Sequence, residues 1–274
     1  MKADRMRSNH EVAAFFAATI GFTWLIWLPA LLIQNFGLYL PLSYDLLIKA
    51  GSFVPSTAGF VFAYRCGGKP EVRSLFRSMH HARIGIRWIL FTFLVLPGVS
   101  AVSCLIYSLT GNDLPQMQFG PLFIPIAFLY LLLFMGPLGE EAGWRGFALP
   151  RMLRNASPMN AAARMGIVWS FWHLPLFFIN GTTQNALTAF GMVPAILGYF
   201  LYTLMLSVLI TLLFVMSHGS VLGSILLHTV GNLSLGVVPL ILTRNGSLIV
   251  LLVLSATTAA FVFRYRAILF HKAE

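Results

Sequence analysis

The amino-acid sequence predicts an all-α fold, a polytopic membrane helix bundle of about eight transmembrane helices with both termini in the cytoplasm. Hydrophobic residues make up 58% of the 274 positions and charged residues only 9%, against roughly 25% in soluble domains. The apolar residues come in runs of about twenty, enough to cross a hydrocarbon core of ~30 Å. Lys and Arg gather between alternate runs, as they do on the cytoplasmic side of membranes. This composition excludes both a soluble globular domain and an intrinsically disordered chain.

Hydropathy defines the predicted spans in order. The first run follows basic residues as a signal peptide does, but it exceeds the ~7–15-residue apolar core and lacks a small-residue cleavage site, so we expect it to remain as a helix. The longest connection, 65–87, is too short to fold separately, which predicts one domain, 1–274, with its core motifs in 136–235. The predicted spans are roughly 12–34, 47–64, 88–109, 121–139, 160–179, 187–215, 220–240 and 247–263.

The distribution of positive charge supports this layout independently of hydropathy. With the N-terminus inside, sixteen of the eighteen Lys and Arg residues lie on the cytoplasmic side, and only Lys49 and Arg244 lie on the other. The net charge of +10 therefore reflects membrane topology, and no basic stripe of the kind that binds nucleic acid is present. The sixteen are Lys2, Arg5, Arg7, Arg65, Lys69, Arg73, Arg77, Arg83, Arg87, Arg145, Arg151, Arg154, Arg164, Arg264, Arg266 and Lys272.

The connection 65–87 has the pattern of an amphipathic helix. Val72, Leu75, Phe76, Met79 and Ile86 recur near helical spacing, with basic residues around them. We expect this helix to lie on the inner leaflet of the membrane.

Ionisable residues inside predicted spans are few, and each costs at least ~2.5 kcal/mol to insert. Two of them, Glu140 and Glu141, fall at the cytoplasmic end of the fourth span, in an EExxxR pattern with Arg145. Glu141 and Arg145 are one helical turn apart and are expected to form an ion pair, whereas Glu140 lies about 100° away. Glu140 is thus suited to act as a general base. Alternatively, both glutamates belong to a solvated helix end, where charges are common.

Two further polar elements follow in later spans. Trp169 and His173 share one face of the fifth span, and His228 and Asn232 share one face of the seventh. In lipid such side chains would be unsatisfied, so they are expected to point into the bundle. The alternatives are a hydrogen-bonded packing role for His173 and a polar contact between helices for His228 and Asn232.

If these residues converge, they form a hydrolytic site. A carboxylate activates water, a histidine orients it, and hydrogen-bond donors stabilise the tetrahedral oxyanion. A divalent metal such as zinc, bound by Glu140, His173 and His228, is a second interpretation, although no HExxH motif is present. No GxSxG nucleophile elbow and no intramembrane aspartate pair offers a competing mechanism. Intramembrane Glu and His also mark ion pathways, so a transporter or proton relay remains an alternative.

The three motifs in this order resemble the CPBP intramembrane protease family, which includes type II CAAX prenyl endopeptidases and bacterial Abi-type bacteriocin-processing and immunity proteins. The resemblance extends from Glu140 to Asn232 and includes Trp-His-Leu-Pro and Ser-His-Gly-Ser. Trp169 stands where family prototypes often have Phe. The first two spans and the C-terminal helix carry no motif and match by topology alone.

The resemblance implies a membrane endopeptidase in which Glu140 activates water, His173 shares that water, and His228 and Asn232 stabilise the oxyanion. Glu141, Arg145 and Trp169 are supporting residues of that site.

The resemblance also implies a peptide or prenylated protein as substrate, cut near the cytoplasmic face of the lipid bilayer. It places the chain in the cell membrane of a prokaryote. The family is described as metalloproteases, and a metal-free glutamate mechanism is also argued for it. A catalytically silent immunity or binding protein of the same fold is the remaining alternative.

Overall fold

The computed structural model describes residues 2–37, 43–82 and 84–272, and within them every regular element is a helix. Three of the predicted cytoplasmic cations lie outside the described part: Arg83, and the side chains of Lys2 and Arg5. The structure is a polytopic all-α helix bundle, which confirms the predicted fold class.

The helices in the described first half of the chain differ widely in length. They are α1 (Lys2–Phe36), α2 (Tyr44–Ser52), α3 (Val54–Ser78), α4 (Ile86–Leu109) and α5 (Ile124–Phe134), the last preceded by a 3-10 turn at Pro121–Phe123.

The second half begins with a broken helical segment. It comprises α6 (Pro137–Glu141), a π-helix (Ala142–Ala148) and α7 (Leu149–Leu153). The remaining elements are α8 (Pro158–Trp172), α9 (Thr183–Leu187), α10 (Met192–Met216), α11 (Val221–Val237), α12 (Arg244–Arg264) and α13 (Arg266–Leu269), with 3-10 turns at Leu174–Phe178, Thr188–Phe190 and Leu240–Leu242.

Several of these helical runs have the length and apolar composition of membrane spans, so the chain is a multi-pass membrane protein. Within the described residues there are six, or seven if the bent pair Pro158–Phe178 and Thr183–Phe190 forms one span. The seventh predicted span corresponds to α11, a shorter apolar helix. The six runs are Met6–Phe36, Tyr44–Ser78, Ile86–Leu109, Pro121–Leu153, Met192–Met216 and Arg244–Arg264. The total of eight and the side of each terminus stay predictions.

The predicted amphipathic helix is the last part of α3. Gly68 has φ 63° and ψ −157°, which interrupts α3 and redirects its final turns. Leu75 is buried in the core, whereas Phe76 is exposed. The assignment of Ile86 to the same helix is wrong, because Gly85 has φ 78° and Ile86 begins α4.

The expected position of the glutamates at the end of a span is also wrong. A break at Gly136, with φ 108°, separates α5 from α6, and the helical path then continues beyond Glu141 to Leu153. Glu140 and Glu141 are 4% and 0% exposed, so the alternative of a solvated helix end is excluded. Packing of the following π-helix against α3 keeps this segment inside the bundle.

Small residues allow that packing. A Cβ on Gly59 of α3 would lie 2.8 Å from the Cα of Gly143 in the π-helix, and a Cβ on Gly143 would collide with the carbonyl oxygen of Pro55. The two backbones therefore cross in contact, as small residues permit at helix interfaces in membranes. This crossing fixes the position of the π-helix and of the two glutamates that directly precede it.

Candidate active site

The two adjacent glutamates have different partners. Glu141 Oε1 accepts hydrogen bonds from Arg145 Nη1 and from His228 Nδ1, both at 2.9 Å. The predicted ion pair between Glu141 and Arg145 is therefore present, with both side chains fully buried. The π-helical backbone between them does not prevent it.

Glu140 has no ion-pair partner within the described residues. Its Oε2 accepts a hydrogen bond from Trp169 Nε1 at 2.7 Å. Gly136 lies against its other oxygen, because a Cβ on Gly136 would collide with Glu140 Oε1. A buried carboxylate held by one neutral donor remains available to accept a proton, whereas the charge of Glu141 is neutralised by its neighbours.

His173 follows the last residue of α8, which begins at the N-cap Ser157. Its Nδ1 donates to the backbone carbonyl of Trp169 at 2.7 Å, because a carbonyl oxygen accepts only. In the neutral ring Nε2 then carries the lone pair. His228 has the same arrangement, since its Nδ1 donates to the carboxylate of Glu141. Both histidines are thus fixed through Nδ1 and leave Nε2 for chemistry.

The indole of Trp169 brings the predicted site residues together. Its centroid lies 5.1 Å from the imidazole of His228 and 5.7 Å from that of His173. The guanidinium of Arg145 lies over the same ring at 4.6 Å, a cation–π contact. With the hydrogen bond to Glu140, one side chain from α8 contacts groups on α6, the π-helix and α11.

Asn232 is the predicted site residue that the structure does not tie to this cluster. It lies on α11, one turn after His228, and is half-buried. Within the described residues no hydrogen bond of its side chain is seen, so its part in the site stays a prediction from spacing.

The metal interpretation does not fit this arrangement. Across the part of the chain that the structure describes, no three His, Cys, Asp or Glu side chains are grouped so that they could hold a metal ion. Glu140, His173 and His228 share the Trp169 indole as a neighbour, but they do not form a ligand set for zinc.

Sequence patterns missed three residues next to the site. Gly136 accommodates the Glu140 carboxylate, and only its position before Pro137 hints at a special backbone. The ring of Tyr199 on α10 lies 5.1 Å from that of His173. Gln184 on α9 donates from Nε2 to Tyr199 Oη at 2.8 Å. Tyr199 and Gln184 carry no motif, so only tertiary contact reveals them.

Comparison with known proteins finds relatives among CAAX prenyl proteases. The family model described as type II CAAX prenyl endopeptidase Rce1-like matches residues 122–234, which contain all three motifs. The chain is 26% identical over 269 residues to CAAX prenyl protease 2 of Methanococcus maripaludis, an alignment that covers 94% of this chain and 95% of the relative. The order of the motifs and these two matches support the resemblance of the chain to the CPBP family of intramembrane proteases, which includes the type II CAAX prenyl endopeptidases.

Proposed function

We propose that the protein is an endopeptidase that hydrolyses a peptide bond at the membrane, with Glu140 as the general base. The convergence of Glu140, His173 and His228 on the indole of Trp169 is the observation that carries this proposal. Arg145 and His228 both bond to Glu141 and not to Glu140. The Glu140 carboxylate is therefore left to act on water.

In the proposed first step, a water molecule lies between the Glu140 carboxylate and Nε2 of His173. Glu140 takes a proton from this water, and the resulting hydroxide attacks the carbonyl carbon of the substrate. The π electrons of the carbonyl move to its oxygen, which becomes the oxyanion of a tetrahedral intermediate.

Hydrogen-bond donors stabilise that oxyanion. The Asn232 amide supplies one, and His228 supplies another when it is protonated on Nε2. Glu141 holds the His228 ring in place, because its carboxylate accepts the hydrogen bond from Nδ1. The intermediate then collapses with cleavage of the C–N bond, and the departing amine takes the proton from Glu140.

The proposed substrate is a prenylated protein with a C-terminal CAAX sequence, cut after the lipidated cysteine to release the tripeptide. The relative named CAAX prenyl protease 2 supports this substrate. Sixteen of eighteen cations on one predicted side support a catalytic site reached from the cytoplasm, in the cell membrane of a prokaryote.

The test is peptidase activity of the detergent-purified protein on a farnesylated CAAX peptide. Glu140→Gln keeps the size of the side chain and removes the base, so we expect turnover to fall about 10²–10⁴-fold. Glu71→Gln is the matched control, because Glu71 is bonded to Arg151 and not to the Trp169 cluster. We expect this control to retain the activity of the wild type.

The two failures of this test are distinct. Full activity in Glu140→Gln, with the variant folded, would reject the role of Glu140. A folded wild type that cleaves neither lipidated nor unlipidated peptide would reject the peptidase itself.

A further inference from the structure

A cavity of about 520 Å³ lies apart from the candidate active site. Its walls are the last part of α3, the segment from the π-helix to the end of α7, and the connection from α10 to α11. Among the described residues that line it, none is Glu140, Trp169, His173 or His228. Ligand sites in proteins typically measure about 300–1,000 Å³, so this cavity is large enough for a ligand of its own.

The lining of this cavity has a polar part and an apolar part. Side chains that can donate hydrogen bonds form the polar part, namely Ser74, Ser78, Arg151, Arg154 and His218. Hydrocarbon side chains form the apolar part, among them Leu75, Phe147 and Phe214. A ligand that contacts both parts is amphiphilic, with one end that accepts hydrogen bonds and another end of hydrocarbon.

The charge of the lining favours an anion. Arg154 directly follows α7 and is exposed, and its side chain has no ion pair or hydrogen bond among the described residues. The one carboxylate in the described lining belongs to Glu71, which is paired with Arg151. In addition, α11 begins at Val221 in the same lining, so the positive end of this helix lies at the cavity.

The surroundings of the cavity indicate a position at the membrane surface. The last part of α3, which Gly68 redirects, is the amphipathic segment expected to lie on the inner leaflet. Arg73 and Arg77 in this segment are exposed. Both belong, with Arg151 and Arg154, to the cations on the predicted cytoplasmic side. Basic clusters next to a membrane span attract the headgroups of anionic lipids.

We propose that this cavity binds the headgroup of an anionic phospholipid from the inner leaflet. The phosphate group accepts hydrogen bonds from Arg154, His218 and Ser74, because these donors line the cavity and have no other partner among the described residues. The glycerol and the first carbons of the acyl chains contact the apolar part of the lining. Free phosphate has the same charge chemistry, but it has nothing to contact that apolar part.

A lipid in this cavity contacts three parts of the fold at once. They are α3, the segment from the π-helix to α7, and the start of α11. The first two already pack closely, because a Cβ on Gly146 would collide with the side chain of Leu75. Since the unfolded chain has no such cavity, binding of the lipid stabilises the folded protein.

The experiment measures lipid binding by the full-length protein and needs no peptidase activity. The protein is purified in an uncharged detergent, and its binding of phosphatidylglycerol and of phosphatidylcholine is compared by native mass spectrometry. Arg154→Gln removes the unpaired cation, and Arg154→Lys keeps its charge. Arg164→Gln is the matched control, because Arg164 is exposed on α8 on the same predicted side and is not among the lining residues.

We expect the wild type to prefer phosphatidylglycerol to phosphatidylcholine. Arg154→Gln should weaken binding of phosphatidylglycerol about fivefold or more, because a cation near an anionic lipid contributes about this factor. Arg164→Gln should bind like the wild type, and Arg154→Lys should keep most of the affinity. Phosphatidylglycerol should also raise the unfolding temperature of the wild type, and the rise should be smaller in Arg154→Gln.

Equal binding of phosphatidylglycerol by Arg154→Gln and the wild type would overturn the proposal. So would an equal loss in Arg164→Gln, which would mean that the whole basic surface attracts lipid without a specific site. If inorganic phosphate alone raises the unfolding temperature as much as phosphatidylglycerol does, the ligand is free phosphate and the lipid assignment is wrong.

The substrate is the remaining candidate occupant. If Arg154→Gln weakens binding of a CAAX peptide and leaves binding of phosphatidylglycerol unchanged, the cavity holds the peptide carboxylate and the lipid assignment is wrong. Failure of the lipid site leaves the proposed peptidase as it stands, because the two are measured separately.

Discussion

Two buried arginines, six residues apart, show how similar charge pairs serve different purposes in this protein. Arg145 pairs with Glu141, and both side chains are 0% exposed. Arg151 pairs with Glu11 and Glu71, whose side chains are 17% and 29% exposed. The first pair lies in the candidate site and the second links α7 to α1 and α3.

The two pairs differ most in how well their hydrogen-bonding groups are satisfied. Arg151 donates to Glu11, to Glu71 and to the carbonyl oxygen of Phe147. Arg145 donates one hydrogen bond, to Glu141, and its Nε and Nη2 have no hydrogen-bond partner among the described residues. Unsatisfied buried donors cost about 1–3 kcal/mol each. Buried polar groups without partners call for an explanation such as a functional role. We therefore propose that Arg151 belongs to the scaffold and Arg145 to the candidate site.

Removing one carboxylate from each arginine tests this comparison most strongly. Glu141→Gln leaves Arg145 as an uncompensated buried cation, so we expect a loss of about 3–5 kcal/mol in the free energy of unfolding. His228 also loses its carboxylate partner, and peptidase activity should fall with stability. Thermal unfolding in detergent and peptide cleavage measure the two effects.

The matched control for that change is Glu11→Gln. Arg151 keeps Glu71 as a partner, and the position is partly exposed, so a loss of about 1 kcal/mol is expected. Equal destabilisation by the two substitutions would contradict the distinction between scaffold and site.

Arg151→Met tests whether Arg151 contributes to stability without affecting catalysis. The apolar replacement removes the cation and leaves Glu11 and Glu71 within reach of water, so we expect destabilisation of about 2 kcal/mol. The folded fraction should cleave peptide with wild-type kcat/KM, measured after correction for folded protein. A lower kcat/KM per folded molecule would show that Arg151 also affects catalysis.

Trp169→Phe has the smallest expected effect and isolates one hydrogen bond. Phenylalanine keeps a ring between His173 and His228 but cannot donate to Glu140 Oε2. We expect kcat to fall about tenfold, with KM close to wild type, because the lost hydrogen bond orients the Glu140 carboxylate and a hydrogen bond contributes about 0.5–1.5 kcal/mol net. Steady-state kinetics separates the two constants. An unchanged kcat would mean that the indole only packs against Glu140.

Prediction from sequence succeeded where the contact was local. Glu141 and Arg145 are four residues apart, and their ion pair forms although the backbone between them is π-helical. The sequence also singled out His173 and His228, because ionisable residues are rare in apolar spans. It failed for the place of Glu140 within its span, since hydropathy does not register the break at Gly136 or the continuation to Leu153.

Contacts between residues far apart in the chain could not be predicted from the sequence. Trp169 and Glu140 are 29 residues apart, and Arg151 and Glu11 are 140 apart. Glu11 and Glu71 belong to no sequence motif, so nothing in the sequence indicates that Arg151 joins them. The approach of α3 to the π-helix at Gly59 and Gly143, which positions the glutamates, is likewise visible only in the assembled bundle.

The sequence by itself determined that the chain is an all-α membrane protein and which few side chains have the chemistry for hydrolysis. Hydrocarbon tolerates so few polar groups that those present stand out. The tertiary structure alone decided which glutamate is paired, which nitrogen of each histidine is left for chemistry, and which residues line the cavity beside Arg154. These properties depend on distances between side chains from different helices, and such distances are set by helix packing.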